Sequence, residues 1–110
     1  MTTISEHAPH ATLINVFTVE PARARALVDL LNAATVEVMR HREGFRSANI
    51  HLSADGTRVV NYAQWDTAAD FERMLADPVA REHMARAAEL ATAFDPHLYR
   101  VEAVHLRAQP

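Results

Sequence analysis

Asp55-Gly56-Thr57-Arg58-Val59-Val60-Asn61-Tyr62-Ala63-Gln64-Trp65 joins a turn dipeptide to a strand carrying an amide and an indole four residues apart. Asp-Gly is suited to a two-residue type I′ hairpin turn, in which both central residues take positive φ and glycine does so without strain. Side chains alternate along a strand, so Val59, Asn61, Ala63 and Trp65 share one face. A loop at 55–56 pairs Leu52 with Val59, Ile50 with Asn61 and Ala48 with Ala63, and cross-strand partners share a face. Asn61 and Trp65 then form a small polar feature in an apolar wall, which marks them as site candidates.

Working outward, the chain reads as βαββαβ. The first strand, Thr12 to Val19, is apolar and β-branched, and Pro21 sits at a favoured first helical position. A helix from about Pro21 to Arg42 places Ala24, Leu27, Val28, Leu31, Ala34 and Val38 on one stripe, and Gly44 ends it. The hairpin strands run from about Phe45 to Ser53 and from Thr57 to Asp66. Thr67 caps a short helix, with Asp70 completing an approximate capping box. Asp77-Pro78 opens a helix predicted to reach about Phe94; Pro96 breaks it, and His97 to Arg107 form the last strand. This is an α+β, ferredoxin-like pattern with a four-stranded antiparallel sheet, whose first and third strands are central neighbours.

The two halves echo one another. Asn15 lies six residues before Pro21, and Asn61 six before Thr67, so the two amides fall at equivalent depths on the helix-facing side. Leu13, Phe17 and Val19 flank Asn15 as apolar residues flank Asn61. On the opposite face the reading places Asn49, His51, Val60, Tyr62 and Gln64, with Tyr99, Val101 and His105 from the last strand. Helices cover only one face of such a sheet, and the tyrosines on the other point to packing against a second copy, giving a homodimer.

Composition narrows the function. The 110 residues are enough for one domain, assigned to 11–107, after a flexible N-terminal tail at 1–10. No apolar run approaches the roughly 20 residues of a membrane helix, and the polar N-terminus lacks a signal-peptide core, so a cytoplasmic protein is expected. The absence of cysteine excludes thiolate and iron–sulfur chemistry, and the absence of lysine among the 11 basic residues excludes a lysine Schiff base. A net charge of −3 offers no footprint for nucleic acid or an anionic membrane. The seven histidines show no His-x-x-x-His spacing, and no metal site is expected.

From Thr12 to about Leu106 the chain resembles the antibiotic-biosynthesis monooxygenase family, dimeric α+β barrels with ferredoxin-like subunits. The resemblance is sharpest in Leu13-Ile14-Asn15-Val16-Phe17-Thr18-Val19 and Val60-Asn61-Tyr62-Ala63-Gln64-Trp65. It is closest to the cofactor-independent oxygenases that convert anthrones or naphthacenones of aromatic polyketide pathways into quinones. The resemblance implies a dioxygen-dependent monooxygenase without cofactor, whose site asparagines and tryptophan fall on Asn15, Asn61 and Trp65. A pocket tyrosine known in one such enzyme is replaced by Phe71, and a helical arginine at the pocket mouth has no counterpart that the sequence register defines.

An apolar pocket with a few neutral amide donors suits stabilisation of a substrate oxyanion away from water. Phe17, Phe71, Met74, Met84 and Phe94, with Leu75 and Leu90, are expected to complete the wall, although a plain helix–sheet core would use the same residues. His83 is the best acid–base candidate, because imidazole titrates near neutrality. Two rival readings share the fold. In a haem-degrading oxygenase, Asn15 fits, but the expected Trp falls at Met74 and the ligating His at or beside Met84, one residue from His83. In a non-enzymatic dimeric binding protein, the pocket holds a small molecule without oxidising it.

Overall fold

The period-two alternation of the hairpin strands produces the expected register: Leu52 pairs with Val59, Ile50 with Asn61 and Ala48 with Ala63. The computed structural model describes residues 1–109. Its elements are β1 (Ala11–Thr18), α1 (Pro21–Glu37), a 3-10 turn (Met39–His41), β2 (Phe45–Leu52), β3 (Arg58–Trp65), α2 (Ala68–Leu75), α3 (Pro78–Leu90) and β4 (Ala93–Tyr99). The antiparallel sheet has the order β2-β3-β1-β4, with β1 and β3 central, as a ferredoxin-like topology requires.

The turn differs from the type I′ expectation while the register survives. Gly56 has φ +74°, but Asp55 does not take positive φ. The Gly56 N–H instead closes on the Ser53 carbonyl, and the Asp55 carboxylate accepts from the Ser53 hydroxyl and from both the N–H and hydroxyl of Thr57. Those side-chain bonds favour an Asx-type turn followed by one left-handed glycine. They also lower the Asp55 pKa to about 2, the Thr57 hydroxyl contributing most.

Two helix ends and one strand are corrected. α1 stops at Glu37 rather than near Arg42, and the chain tightens through the i→i+3 bonds His41 N–H to Val38 O and Arg42 N–H to Met39 O. α3 stops at Leu90 rather than Phe94, and β4 spans Ala93–Tyr99 rather than His97–Arg107. Pro96, read as a breaker, lies within β4. Because β4 is an edge strand, the missing N–H disrupts no interior ladder. Val101 and His105 consequently lie beyond the strand on which they were expected.

Gly44, at φ +83°, brings the loop before β2 against α2, where a Cβ would collide with the Asp70 carboxyl group. Thr67 caps α2 by accepting from the Asp70 N–H. Asp77 caps α3 through Val79 N–H and Ala80 N–H while pairing with Arg42. The Arg42 guanidinium, and then the capping amides, hold the Asp77 carboxyl below its ordinary 3.8. A depressed folded value contributes stability that is present above the unfolded pKa and lost as pH falls through the lowered one. We therefore expect Asp77→Asn, which keeps a capping oxygen but no charge, to lower Tm modestly at pH 7. It should also flatten the acid-induced loss of Tm, measured by calorimetry between pH 7 and 2.

On the helix-free face, the Thr2 hydroxyl donates to Asn49 Oδ1 and the Gln64 amide donates to the Thr3 carbonyl, so the first residues lie over part of the sheet. Gln64 and Thr12 are buried there, while Tyr99 is exposed. No helix among the described residues is long and apolar enough to cross a membrane.

Candidate active site

The core is divided in two. One cluster gathers Leu13, Ala63, Trp65, Phe71 and Met74; the other gathers Phe17, Val59, Leu27, Val28 and Ala87. Along β1 the order is Leu13, Asn15, Phe17, and along antiparallel β3 it is Ala63, Asn61, Val59. The two asparagines therefore fall between the clusters, directly opposite one another in the register. There the helices leave the sheet and a cavity of about 540 Å³ opens between them.

Alanine makes the room. Ala34 of α1, Ala48 and Ala63 of the hairpin, and Ala87 and Ala88 of α3 all line the cavity with single methyl groups. All nine candidates from the sequence line it as well: Asn15, Asn61, Trp65, Phe17, Phe71, Met74, His83, Met84 and Phe94. Met84, Phe94 and Leu98 are both cavity-lining and exposed, so the mouth lies between α3 and edge strand β4.

The two amides are differently engaged. Asn15 Oδ1 accepts the Asp95 N–H at 3.2 Å, beside the Pro96 that faces Asn15 in the register and has no N–H to offer. With its oxygen committed, the remaining hydrogen-bonding capacity of Asn15 is its NH₂ group, a donor. Asn61 Oδ1 is buried with no partner. An unsatisfied buried carbonyl costs about 1–3 kcal/mol, a penalty that a ligand can relieve. No bond fixes the rotation of the Asn61 amide, so a ligand selects which end it meets.

Trp65 closes the far end of the cavity. A bulge between Phe45 and Ser47 shifts the β2–β3 register by one, pairing Phe45 with Trp65. The Phe45 and Trp65 rings meet edge-on at 5.4 Å, and Phe71 approaches the other side at 6.2 Å. Thus Phe71, at the expected pocket-tyrosine position, wedges the indole without offering a hydroxyl. Trp65→Phe should preserve most of this packing, and we expect a Tm loss of a few degrees with a larger retained turnover than in Trp65→Ala, measured side by side.

His83 is on the cavity wall with its side chain 12% exposed. Its Nδ1 lies 3.0 Å from the Val79 carbonyl one turn earlier, and its Nε2 lies 3.5 Å from a Glu37 carboxylate oxygen at the end of α1. For the haem reading, His83 lies one residue from the expected ligand position, and its two nitrogens already face protein acceptors.

Several lining residues were not singled out from the sequence. Arg81 on α3 brings a cation to the exposed side of the cavity; the helix start at Pro78 is the expected one, and it is the packing of α3 that places Arg81 on the wall. Thr35 also lines it, its hydroxyl donating to the Leu31 carbonyl, and Pro96 and Leu98 do so because β4 begins earlier than expected.

Fold and cavity together define a small α+β protein with a mainly apolar chamber between a ferredoxin-like sheet and its helices. The profile of the antibiotic biosynthesis monooxygenases matches residues 11–90, and the chain belongs to that family. It is 51% identical over 83 residues, 76% of this chain and 74% of the relative, to tetracenomycin-F1 monooxygenase of Streptomyces glaucescens. A monooxygenase from ActVA-Orf6 of Streptomyces coelicolor, solved in complex with nanaomycin D, superposes with a TM-score of 0.81 at 29% identity, covering 92% of this chain and 95% of that one. SnoaB of Streptomyces nogalater, a cofactor-independent oxygenase, superposes at 0.73 with 24% identity over 88% and 97% of the two chains, a likeness that bears on the fold. The chain is a monooxygenase.

Proposed function

We propose that this monooxygenase works without a cofactor, oxidising a phenolic or anthrone-type polycyclic aromatic polyketide to a quinone with dioxygen. The observation that carries this reading is the pair of facing carboxamides in an otherwise apolar cavity, one with a free donor group and one with an unpartnered oxygen. The 51% identity to a monooxygenase named for an aromatic polyketide supports the substrate class.

Dioxygen is a triplet and reacts slowly with closed-shell molecules, which is why most oxygenases recruit a metal or flavin. A deprotonated anthrone or phenol is electron-rich enough to reduce dioxygen directly. The protein then has to hold the anion, exclude water and retain the radical pair until it combines. Net, a ring methylene and dioxygen give a ring carbonyl and water. In this scheme Asn15 donates to the substrate oxyanion, Asn61 meets a substrate hydroxyl or the developing oxyanion, and Trp65 shapes the wall. Phe17, Phe71, Met74, Met84 and Phe94 bind the aromatic faces, and His83 serves proton transfer.

The test is oxygen uptake with anthrones, naphthols and quinols in chelator-treated buffer. Turnover without added metal, flavin or haem is expected; activity that disappears with chelator and returns with one metal would overturn the cofactor-free mechanism. Added haem should give no Soret shift. Binding of the panel without oxygen uptake would make the chain a carrier.

A homodimer joined through the helix-free sheet faces belongs to the same reading, as does a cytoplasmic place of action. Ile14, Val60 and Tyr62 lie on that face, and Tyr99 is 49% exposed on it. Light scattering at micromolar concentration should report twice the 12.3 kDa chain mass; a value of one chain would refute the dimer.

A further inference from the structure

We propose that Met39, Met74 and Met84 form a peroxide trap in the cavity wall. Their thioethers reduce a substrate hydroperoxide that fails to collapse, take up its outer oxygen as methionine sulfoxide, and so spare Trp65. The trap rests on the cofactor-free reading, under which a hydroperoxide forms in this cavity.

The placement of sulfur in this chain is selective. Of the four methionines, Met1 stands fully exposed at the chain end and the other three all line the cavity. They reach it from three separate elements, Met39 from the 3-10 turn, Met74 from α2 and Met84 from α3. Methionine fills irregular gaps in many protein cores. Here, however, the cluster built around Phe17, Leu27 and Val59 is packed without a single one. Every internal thioether is kept for the chamber.

Trp65 is what such a trap protects. It shares its buried cluster with Met74, and Met39 packs against the same cluster. With no cysteine in the chain, the three thioethers and the indole are the most readily oxidised groups lining the cavity. A methionine turns about three side-chain bonds, so its sulfur adapts to an intermediate that a wedged ring cannot follow. Met84, 38% exposed, stands at the mouth between α3 and β4, and Met74, 6% exposed, stands inside. A sulfoxide is polar, so Met84 carries one in contact with water, whereas on Met74 it disturbs the buried cluster. Met84 is therefore the station that survives oxidation.

The diverted step balances. In normal turnover dioxygen, the oxidant of the monooxygenase reaction, gives a hydroperoxide on a ring carbon, which loses water and leaves the carbonyl. On the diverted path the thioether sulfur attacks the outer oxygen, the O–O bond breaks and an S–O bond forms. The hydroperoxide proton moves to the oxygen left on carbon, giving an alcohol. Sulfur loses two electrons, the hydroperoxide gains them, and no further reactant is consumed.

Peptide mapping by mass spectrometry reads the trap directly. After turnover of a hydroxylated anthrone under isotopically labelled dioxygen, with catalase present, labelled sulfoxide is expected on the cavity methionines and not on Met1. Free hydrogen peroxide should give the reverse order, because Met1 is the most exposed of the four. Cumene hydroperoxide, an apolar aromatic hydroperoxide, should oxidise the cavity methionines before Met1 with no turnover at all. In the variant carrying Met39→Leu, Met74→Leu and Met84→Leu, swaps of similar volume, oxidation of Trp65 per cumene hydroperoxide consumed should rise severalfold. Met84→Leu alone, at the exposed mouth, should show a smaller rise. The trap is overturned if cumene hydroperoxide oxidises Met1 first, if turnover leaves the cavity methionines unmodified, or if Trp65 oxidation is unchanged in both leucine variants. Cavity-first oxidation by cumene hydroperoxide without oxygen uptake on any anthrone would instead overturn the oxidative reading and leave the trap standing.

Discussion

Replacing Asn61 with alanine is expected to slow oxidation by on the order of 10²-fold without loss of thermal stability. The two halves of that result have separate causes. Asn61 sits mid-strand between the two core clusters, opposite Asn15 on one side and Ile50 on the other. Its Oδ1 is buried and unpartnered, so the amide contributes no internal hydrogen bond through that atom and pays a desolvation cost. Alanine removes that cost and widens a cavity that already exists, leaving Tm unchanged or slightly raised. Turnover loses a polar group that meets the developing charge in a dry cavity, a contribution on the scale of about 2.7–4 kcal/mol. Thermal melting and oxygen uptake on the same preparation check both halves. Loss of folding with normal turnover in the surviving molecules would make the amide structural.

Asn15 should respond differently, although sequence reading treats the two asparagines as equivalents. Its Oδ1 holds the Asp95 N–H, so Asn15→Ala should both slow oxidation by about 10²-fold and release the edge strand. The lost bond is worth about 0.5–1.5 kcal/mol, and hydrogen exchange at the Asp95 amide should accelerate. Asn15→Asp separates the functions. The carboxylate still accepts from Asp95, so that amide stays protected, while the donor is gone and a negative charge faces the substrate oxyanion. Turnover should then fall at least as far as in Asn15→Ala. Wild-type turnover in Asn15→Asp would limit Asn15 to holding β4. If both amides hold one substrate oxygen, the double alanine variant should lose less than the two single losses combined.

The asymmetry between these asparagines shows where sequence reading stops. Position, face and depth of both follow from alternation along a strand and from the hairpin pairing, each a local rule. The partner of Asn15 follows from neither, because Asp95 is eighty residues away and belonged to a helix end in the sequence reading. The same holds for His83: its presence on α3 is local, but its Glu37 neighbour depends on how α1 and α3 pack.

The sequence by itself determined the βαββαβ order, the hairpin register and the helix-facing side of Asn15, Asn61 and Trp65. These rest on residue periods of 2.0 and 3.6 and on caps and turns that span only a few residues. Tertiary structure decided the rest. It admitted Pro96 into β4, because an edge strand has no outer neighbour awaiting its N–H. It ended α1 at Glu37, brought Arg81 to the cavity wall, and turned a row of alanines into an opening rather than a tight seam. A cavity is what remains where helices fail to reach the sheet, and that volume depends on all the packing elements at once.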